Sequence, residues 1–162
     1  MSGGPVAARA QWTGSLTTGG VALFSVLVLA VTQGAAGLQV FAIPFIATAA
    51  VLALAPAAPL ARPRAVLLAY PAAVAVSLPV TALLGPSTYT AALAVGLSVL
   101  VMALLRAPHV PAVPAAAAIG LQDPGAVYLL DPLLPGLVLV LGCALLAGWL
   151  LPAYGYRWSA AG

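Results

Sequence analysis

The sequence predicts an all-α membrane protein, a polytopic transmembrane helix bundle built as two inverted three-helix repeats, each with one short broken helix. Charge, hydropathy and the spacing of prolines predict this class. Only seven of the 162 residues are charged, five Arg and two Asp, whereas about a quarter of a soluble domain is charged. Hydrophobic residues make up 64% of the chain, and the mean hydropathy is +1.19. A soluble domain and a disordered chain are therefore excluded, and five scattered arginines form no basic patch for nucleic acid.

Stretches without charge limit where the chain can cross a membrane, because one helical crossing needs about 20 apolar residues. We predict a short cytoplasmic N-terminus at 1–14, a single transmembrane domain at 15–158 with repeat halves at about 15–84 and 88–152, and a tail at 159–162. Gly85-Pro86-Ser87 breaks the chain between the halves. The predicted crossings are 15–34, 41–56, 65–84, 88–106, 110–122 and 132–152, of which the second and fifth are short.

The arginines predict the orientation, because positively charged loops stay on the cytoplasmic side. With six crossings, every arginine lies on the cytoplasmic side and both aspartates, Asp123 and Asp131, lie on the other. If the two short segments instead dip into the bilayer and return, the arginines that follow them lie opposite those near the chain termini. We expect six crossings in a bacterial inner membrane, with both termini cytoplasmic. The arginines are Arg9, Arg62, Arg64, Arg106 and Arg157.

Several residues in the second half are interpreted as structural. Three glycines in the predicted crossings allow close helix packing, and the two aspartates, each followed by proline, cap helices and form turns. Four aromatic residues near the C-terminus are typical of a belt at the membrane interface. The glycines are Gly96, Gly142 and Gly148, and the aromatic residues are Trp149, Tyr154, Tyr156 and Trp158.

The two short segments are bounded by prolines and have the length of half a crossing. Between Pro44 and Pro56 about 11 residues can be helical, which is roughly 17 Å at about 1.5 Å per residue. An offset of 67 residues aligns the two segments, since it places Pro44 on Pro111 and Thr48 on Ala115. Each half has three crossings, an odd number, so the second half must be inverted relative to the first, as in many secondary transporters.

A short helix that begins inside the bilayer directs its unpaired backbone N–H groups at the midplane, and this end of a helix attracts anions. Two such helices entering from opposite faces would form a small anion site, because irregular backbone at this depth must be buried or line a cavity. The alternative is that the prolines only kink packed helices. The residues of the predicted substrate-binding site are His109, Pro111, Thr48, Ala49, Ala115 and Ala116.

Three motifs resemble those of the HPP family of small membrane proteins. Residues 102–111, Met-Ala-Leu-Leu-Arg-Ala-Pro-His-Val-Pro, precede an alanine-rich segment and resemble the family's His-Pro-Pro signature. Residues 58–67 are similar to its Ser-Pro-Leu-Ala-Gln-Pro-Arg loop, and residues 46–52 to its Gly-Ala-Ser-Ala-Val segment. The resemblance covers about residues 19–158 and implies a transmembrane protein; the plant members are described as chloroplast nitrite transporters.

The motifs depart from the family's pattern at four places. Val110 replaces the middle proline, and residues 112–114, Ala-Val-Pro, replace a Gly-Gly pair that would let a ligand approach the backbone closely. Arg62 stands where the family's loop has Gln, and Ala47 stands for the Gly of the first segment. The chain is therefore interpreted as a divergent member, whose substrate need not be that of the family.

His109 is the leading functional candidate, because an imidazole can donate a hydrogen bond to an anion or carry a proton with it. The alternative places it at the cytoplasmic interface, bonded to loop carbonyls. Thr48 offers a hydroxyl to the site, or bonds back to its own helix. Arg106 and Arg62 are topology anchors, or they gather anions at the inner mouth.

The predicted function is membrane transport of a small monovalent anion, nitrite-like or nitrate-like, by a facilitator or channel. Proton symport through His109 is the second mechanism, and no Asp or Glu lies mid-membrane to drive a carboxylate-based pump. An enzyme is not expected, because the sequence lacks paired acids, an activated nucleophile and metal ligands; no cofactor or metal is predicted. The expected partners are the lipid bilayer, the anion and further copies of the chain. The competing class is a non-transporting scaffold or sensor subunit, and a wet cavity reached from both faces would favour transport.

Overall fold

A computed structural model describes residues 5–158 of the chain, with side chains from Trp12 onward. Six α-helices contain most of these residues, and the described part of the chain has no strand, so the predicted all-α class is confirmed. The predicted tail at 159–162 lies outside the described residues. The helices are α1 (Pro5–Ala36), α2 (Ile43–Leu54), α3 (Pro63–Leu84), α4 (Thr88–Leu104), α5 (Val113–Gln122) and α6 (Leu133–Leu150).

Prolines and glycines set the helix bounds. α1 begins at Pro5, ten residues before the predicted start of the first crossing. Proline is favourable in the first turn of a helix, because a backbone N–H at that position has no partner within the helix and its loss costs nothing. α3 begins at Pro63 and ends at Gly85, whose φ of 74° lies in the left-handed region that glycine adopts without strain. The other helix ends lie within three residues of their predicted positions.

Three segments are long and apolar enough to cross a bilayer, by length and composition alone: Trp12–Ala36, Pro63–Leu84 and Gly125–Leu150. The remaining three apolar helices are shorter, and α4 has 17 residues. α2 with 12 residues and α5 with ten are about 18 and 15 Å long, roughly half of a hydrocarbon core of about 30 Å. The two short helices predicted from the prolines are therefore present.

Hydrogen bonds between connections bring three segments together at one end of the bundle. His109 Nδ1 donates to the carbonyl oxygen of Leu60 at 2.8 Å, which joins the α4–α5 and α2–α3 connections. The Tyr156 hydroxyl donates to the carbonyl oxygen of Ala61 at 2.9 Å, which adds the segment after α6. We call this the arginine end, because the connections and the first turn of α3 carry the exposed residues Arg62, Arg64, Arg106 and Arg157 here.

The opposite end of the bundle carries the two aspartates, and we call it the aspartate end. Asp131 accepts a hydrogen bond from the Gln39 backbone N–H at 2.7 Å, which joins the α1–α2 connection to the residues before α6. Asp123 ends α5 with a φ of 48°, so it lies at a helix C-terminus rather than capping an N-terminus. The described charges are thus separated by sign, as six crossings require.

Both short helices run from one end of the bundle to the other. α2 begins at the aspartate end, where Pro44 and Asp131 line the same cavity. Near its C-terminus the Leu52 carbonyl accepts a hydrogen bond from Tyr154, which follows α6 at the arginine end. α5 runs the opposite way from the 3-10 turn Val110–Ala112. Each short helix therefore begins near one end of the bundle and ends near the other.

The helices pack as two groups of three. α1, α2 and α6 contact one another, and so do α3, α4 and α5. Each group therefore takes two helices from one half of the sequence and its third helix from the other half. Contacts of α2 with α5 and of α3 with α6 join the groups. Exchanging α1 with α4, α2 with α5 and α3 with α6 converts one group into the other.

Two glycines permit the closest approaches in the core. A Cβ atom at Gly120 would meet the backbone of Ala91, so this glycine allows α5 to lie directly against α4. A Cβ atom at Gly136 would meet the ring of Phe45, so this glycine makes room for an aromatic side chain of α2 against α6. Neither glycine was predicted from the sequence to allow close packing.

The glycines that were singled out behave differently. A Cβ atom at Gly96 or Gly142 would have no neighbour within 4 Å, so their predicted role in close helix packing is wrong within this chain. Gly148 does have a close neighbour, but this is the carbonyl group of Tyr156 and not another helix. The reason is geometric, since composition shows where small residues occur but not which face of a helix they occupy.

Candidate functional site

Three polar side chains meet where the two helix groups are in contact. Thr48 lies in the middle of α2, Tyr70 lies two turns into α3, and His109 follows α4. Thr48 Oγ1 lies 2.9 Å from His109 Nε2 and 2.8 Å from the Tyr70 hydroxyl oxygen. We call these three residues the polar triad. Its members come from both halves of the sequence and from both groups of helices.

Aromatic contacts position the Tyr70 side chain in the triad. The ring of Phe45 stacks on the ring of Tyr70, with centroids 5.4 Å apart and planes 8° from parallel. Phe45 reaches this position because Gly136 has no side chain to obstruct it. On its other side the Tyr70 ring lies 5.7 Å from the imidazole of His109, at an angle of 45°.

The end of α4 turns the chain so that His109 enters the bundle. The Arg106 N–H bonds to the carbonyl of Ala103, and the Ala107 N–H bonds to the carbonyl of Met102. This pair of bonds is a Schellman motif, which ends a helix with one residue in the left-handed region. That residue is Arg106, with a φ of 51°, at a position where glycine is usual.

The hydrogen bonds of the triad can be counted atom by atom. His109 Nδ1 carries a hydrogen, because its partner, the Leu60 carbonyl, can only accept. With a neutral imidazole, Nε2 accepts from Thr48, and Thr48 accepts from Tyr70. With a protonated imidazole, Nε2 donates to Thr48, whose own hydrogen then goes to the Pro44 carbonyl oxygen, 3.0 Å away. Both arrangements satisfy every hydrogen-bonding group without moving a heavy atom.

The triad is closed to water in this structure. Thr48, Tyr70 and His109 each have an exposed fraction of zero. Among the described residues, no buried side-chain nitrogen or oxygen lacks a hydrogen-bond partner. The wet cavity reached from both faces that would favour transport is therefore not open at the triad, and a packed core is the observation that favours a scaffold.

The C-terminal segment Pro152–Trp158, which we call the strap, covers the arginine end of the triad region. The Tyr154 hydroxyl donates to the Leu52 carbonyl at 2.6 Å, and the Tyr156 hydroxyl donates to the Ala61 carbonyl at 2.9 Å. Burial raises the pKa of Tyr154 to about 12, so its hydroxyl remains a donor at neutral pH. His109 and Tyr156 thus hold the successive carbonyls of Leu60 and Ala61.

The strap corrects the prediction of an aromatic belt. Trp149 and Trp158 are 78% and 58% exposed, as membrane-facing residues would be. Tyr154 and Tyr156 are only 6% and 2% exposed, and their hydroxyls bind carbonyls inside the protein, so the belt is wrong for these two. The physical reason is that two carbonyls at the arginine end need donors, which buried tyrosines supply.

A cavity of about 320 Å³ opens at the aspartate end. Pro44 lines it at the start of α2, one helical turn from Thr48, and the Pro44 carbonyl is the atom to which Thr48 Oγ1 bonds. The cavity is therefore separated from the triad by a single turn of α2. Its polar lining residues are Gln39, Gln122, Tyr128 and Asp131.

The predicted site residues fall into three sets in the structure. His109 and Thr48 are hydrogen-bonded, and the Pro111 carbonyl lies 3.5 Å from the Tyr70 hydroxyl. The three predicted alanines belong to the apolar core and are at most 2% exposed, with no polar group to offer a ligand beyond the backbone. Arg62 and Arg106 are exposed at the arginine end and have no hydrogen bond to the triad. The alanines are Ala49, Ala115 and Ala116.

Tyr70 was not predicted from the sequence, and the two tyrosines of the strap were assigned to a membrane belt and not to hydrogen bonds inside the protein. Tyr70 lies inside an apolar stretch, Leu68-Ala69-Tyr70-Pro71, and a lone tyrosine in such a stretch is a usable signal, because a buried phenol must find a partner. The Leu60 carbonyl could not have been found, since no side-chain pattern indicates which backbone oxygen accepts a hydrogen bond.

The apolar helices that cross between a positive and a negative end define this protein as a polytopic α-helical membrane protein. Within that class, the sequence model of the family described as "HPP, transmembrane region" matches residues 6–155, so the chain belongs to the HPP transmembrane family. Comparison of the chain with curated proteins finds no match, and comparison with solved structures finds none either. The family assignment therefore rests on the match of the family model over residues 6–155.

Proposed function

We propose that this protein transports a small monovalent anion, such as nitrite or nitrate, across the membrane and does not convert it chemically. The observation that carries the proposal is the polar triad, which lies at the contact between the two helix groups. Membrane transporters with repeats bind their substrates at such contacts, near the discontinuous helices. Buried ionisable and polar side chains in a membrane protein are costly and mark pathways of ions or protons.

The packing of the helices supports an inverted repeat. Adding 67 to the bounds of α2 gives 110–121, and the matching short helix with its 3-10 turn occupies Val110–Gln122. The same shift takes the end of α1 from 36 to 103, within one residue of the end of α4. The contacts within one group also have counterparts within the other.

The polar chemistry is concentrated in one copy of the proposed repeat. The offset of 67 places Thr48 on Ala115, Tyr70 on Leu137, and His109 on Ala42. All three counterparts are apolar, so the second copy has no triad. The pairs of helices in contact thus have counterparts in the two groups, whereas the polar triad has none.

The hydrogen-bond count supports proton symport as a second mechanism. The triad accommodates a proton on His109 by reversing the Thr48 hydroxyl, with no rearrangement of the helices. The positive charge would then lie at the contact between the two helix groups, where it would stabilise an anion.

A non-transporting scaffold or sensor subunit is the second candidate function. The observation that favours it is the packed centre, since the triad has no exposed area and its groups satisfy one another. A transporter with this structure must open the strap or separate the helix groups during its cycle. A scaffold needs neither movement.

The orientation follows as part of the proposal. The positive-inside rule places the arginine end, with both chain termini, in the cytoplasm of a bacterial cell. Single cysteines at Ala57 and Ala126, both exposed and at opposite ends, test it in a Cys143→Ala background. An impermeant thiol reagent added outside the cell should label only the cysteine at 126. Labelling of the cysteine at 57 alone would show that the arginine end faces the outside of the cell, which contradicts the proposed orientation.

Anion flux into liposomes that contain the purified protein tests the function. We expect nitrite or nitrate flux above that of empty liposomes. We expect His109→Ala to reduce this flux by at least about tenfold, because a hydrogen bond to a charged group contributes about 1.5–3 kcal/mol and about 1.4 kcal/mol corresponds to tenfold. Thr81→Val is the control, because Thr81 is equally buried but bonds only to its own helix. Flux equal to that of empty liposomes for nitrite, nitrate, formate and chloride would favour the scaffold instead.

A further inference from the structure

The cavity at the aspartate end carries a negative charge, whereas the entrance to an anion pathway is expected to be positive. Asp131 is the charged residue among the side chains that line it. One oxygen of this carboxylate accepts the Gln39 backbone N–H at 2.7 Å, which fixes the carboxylate at the cavity wall. The described arginines that follow α2, α4 and α6 all lie at the other end of the bundle. A free anion in this cavity is therefore repelled by a fixed charge, which none of the four arginines with described side chains is placed to compensate.

The other polar residues that line the cavity suit an uncharged ligand that both donates and accepts hydrogen bonds. Gln39 and Gln122 present carboxamides, and Tyr128 presents a hydroxyl. A small oxyacid in its protonated form has one O–H, which a carboxylate can accept, and one or two further oxygens, which amide and phenol groups can bind. The volume of about 320 Å³ is ample for such a molecule with bridging water.

We propose that this cavity binds the protonated, uncharged form of a small oxyacid, and that Asp131 is the specificity-determining residue that excludes the free anion. The inference rests on the proposed function, and it specifies which form of the substrate enters from the aspartate end. The acid enters with its proton, which then lies in an O–H···O hydrogen bond shared between the acid and the Asp131 carboxylate. The acid then lies one turn of α2 from Thr48, whose hydroxyl bonds to the Pro44 carbonyl at the cavity wall.

The first test compares anions whose acids differ in strength. Nitrite is the base of a weak acid and gains a proton as the pH falls, whereas nitrate stays ionised. After subtraction of the flux into empty liposomes, the protein should carry nitrite faster at pH 6 than at pH 7, and nitrate slowly at both.

Asp131→Asn keeps the acceptor for Gln39 and removes the charge. It should raise nitrate flux by about 3- to 100-fold, the range for one charge at ~6 Å between dielectric constants of ~80 and ~20.

Asp123→Asn is the matched control, because Asp123 is an exposed carboxylate at the same end that does not line the cavity. It should leave the ratio of nitrate to nitrite flux unchanged. Nitrate carried as fast as nitrite by the unaltered protein, or a ratio that Asp131→Asn does not change, would overturn the assignment while leaving anion transport in place.

A binding measurement separates this inference from the proposed function. Formate should raise the melting temperature of the purified protein at pH 5 more than at pH 7, and more than nitrate at the same ionic strength, because only formate becomes protonated. Asp131→Asn should abolish the difference between formate and nitrate, and Asp123→Asn should retain it. A protein that shows this pattern but no flux has the site without transport. Equal stabilisation by both anions would refute the site.

Discussion

Replacing Thr48 by Val tests whether the triad holds the two helix groups together. Val keeps the shape of the side chain and removes the hydroxyl, so His109 Nε2 and the Tyr70 hydroxyl lose a partner at 2.9 and 2.8 Å. Hydrogen bonds between membrane helices contribute about 0.6 kcal/mol each on average, and about 1.7 kcal/mol at most. Two of them give a loss of about 1.2 to 3.4 kcal/mol. For a protein of this size that lowers the melting temperature by about 2 to 14 °C.

Thermal unfolding in detergent or nanodiscs measures the effect, with two control variants. Thr48→Ser keeps the hydroxyl and loses only a methyl group, so it should retain the hydrogen bonds. Thr81→Val removes an equally buried hydroxyl whose partner is the Ser77 carbonyl of its own helix, so no other side chain loses a bond. A Thr48→Val variant that melts no lower than Thr81→Val would refute the reasoning, because the triad would then contribute nothing between helices.

Three further substitutions test the packing and the helix ends. Arg106→Gly should raise the melting temperature by about 2–4 °C, since it relieves a left-handed φ of 51° worth about 1 kcal/mol, and an unchanged or lower value would count against that strain. Gly120→Ala should destabilise by about 1–3 kcal/mol because the new methyl group meets the Ala91 backbone, whereas Gly96→Ala should be neutral; equal effects would contradict the packing. Tyr156→Phe should cost about 1 kcal/mol by leaving a carbonyl without its donor, and a thermal melt that matches the unaltered protein would argue against that bond.

The sequence predicts the architecture well because few physical constraints decide it. Seven charges and the prolines around α2 and α5 are enough to place six helices and to separate the charges by end. Where the prediction fails, the missing information is three-dimensional. Gly96 and Gly120 look alike in the sequence, yet only Gly120 faces another helix at close range.

The candidate site was predicted in part, and the pattern of success has a physical reason. His109 and Thr48 are rare polar groups in apolar stretches, so their chemistry singles them out and the fold does pair them. Ala49 and Ala115 were included for backbone groups that the structure buries in the core. The Leu60 carbonyl, which fixes the ring of His109, belongs to a residue whose side chain gives no sign of this role.

The division of the helices between the two groups also bears on how the protein is made. α3, α4 and α5 follow one another in the chain, so their group can assemble as soon as the ribosome has released them. α1 and α2 are made first, but the third member of their group is α6, the last helix to leave the ribosome. The group that contains the first two helices to be synthesised can therefore be completed only when the last helix has been synthesised. Translation that stops before residue 133 leaves the faces of α1 and α2 that pack against α6 exposed to lipid and to quality control.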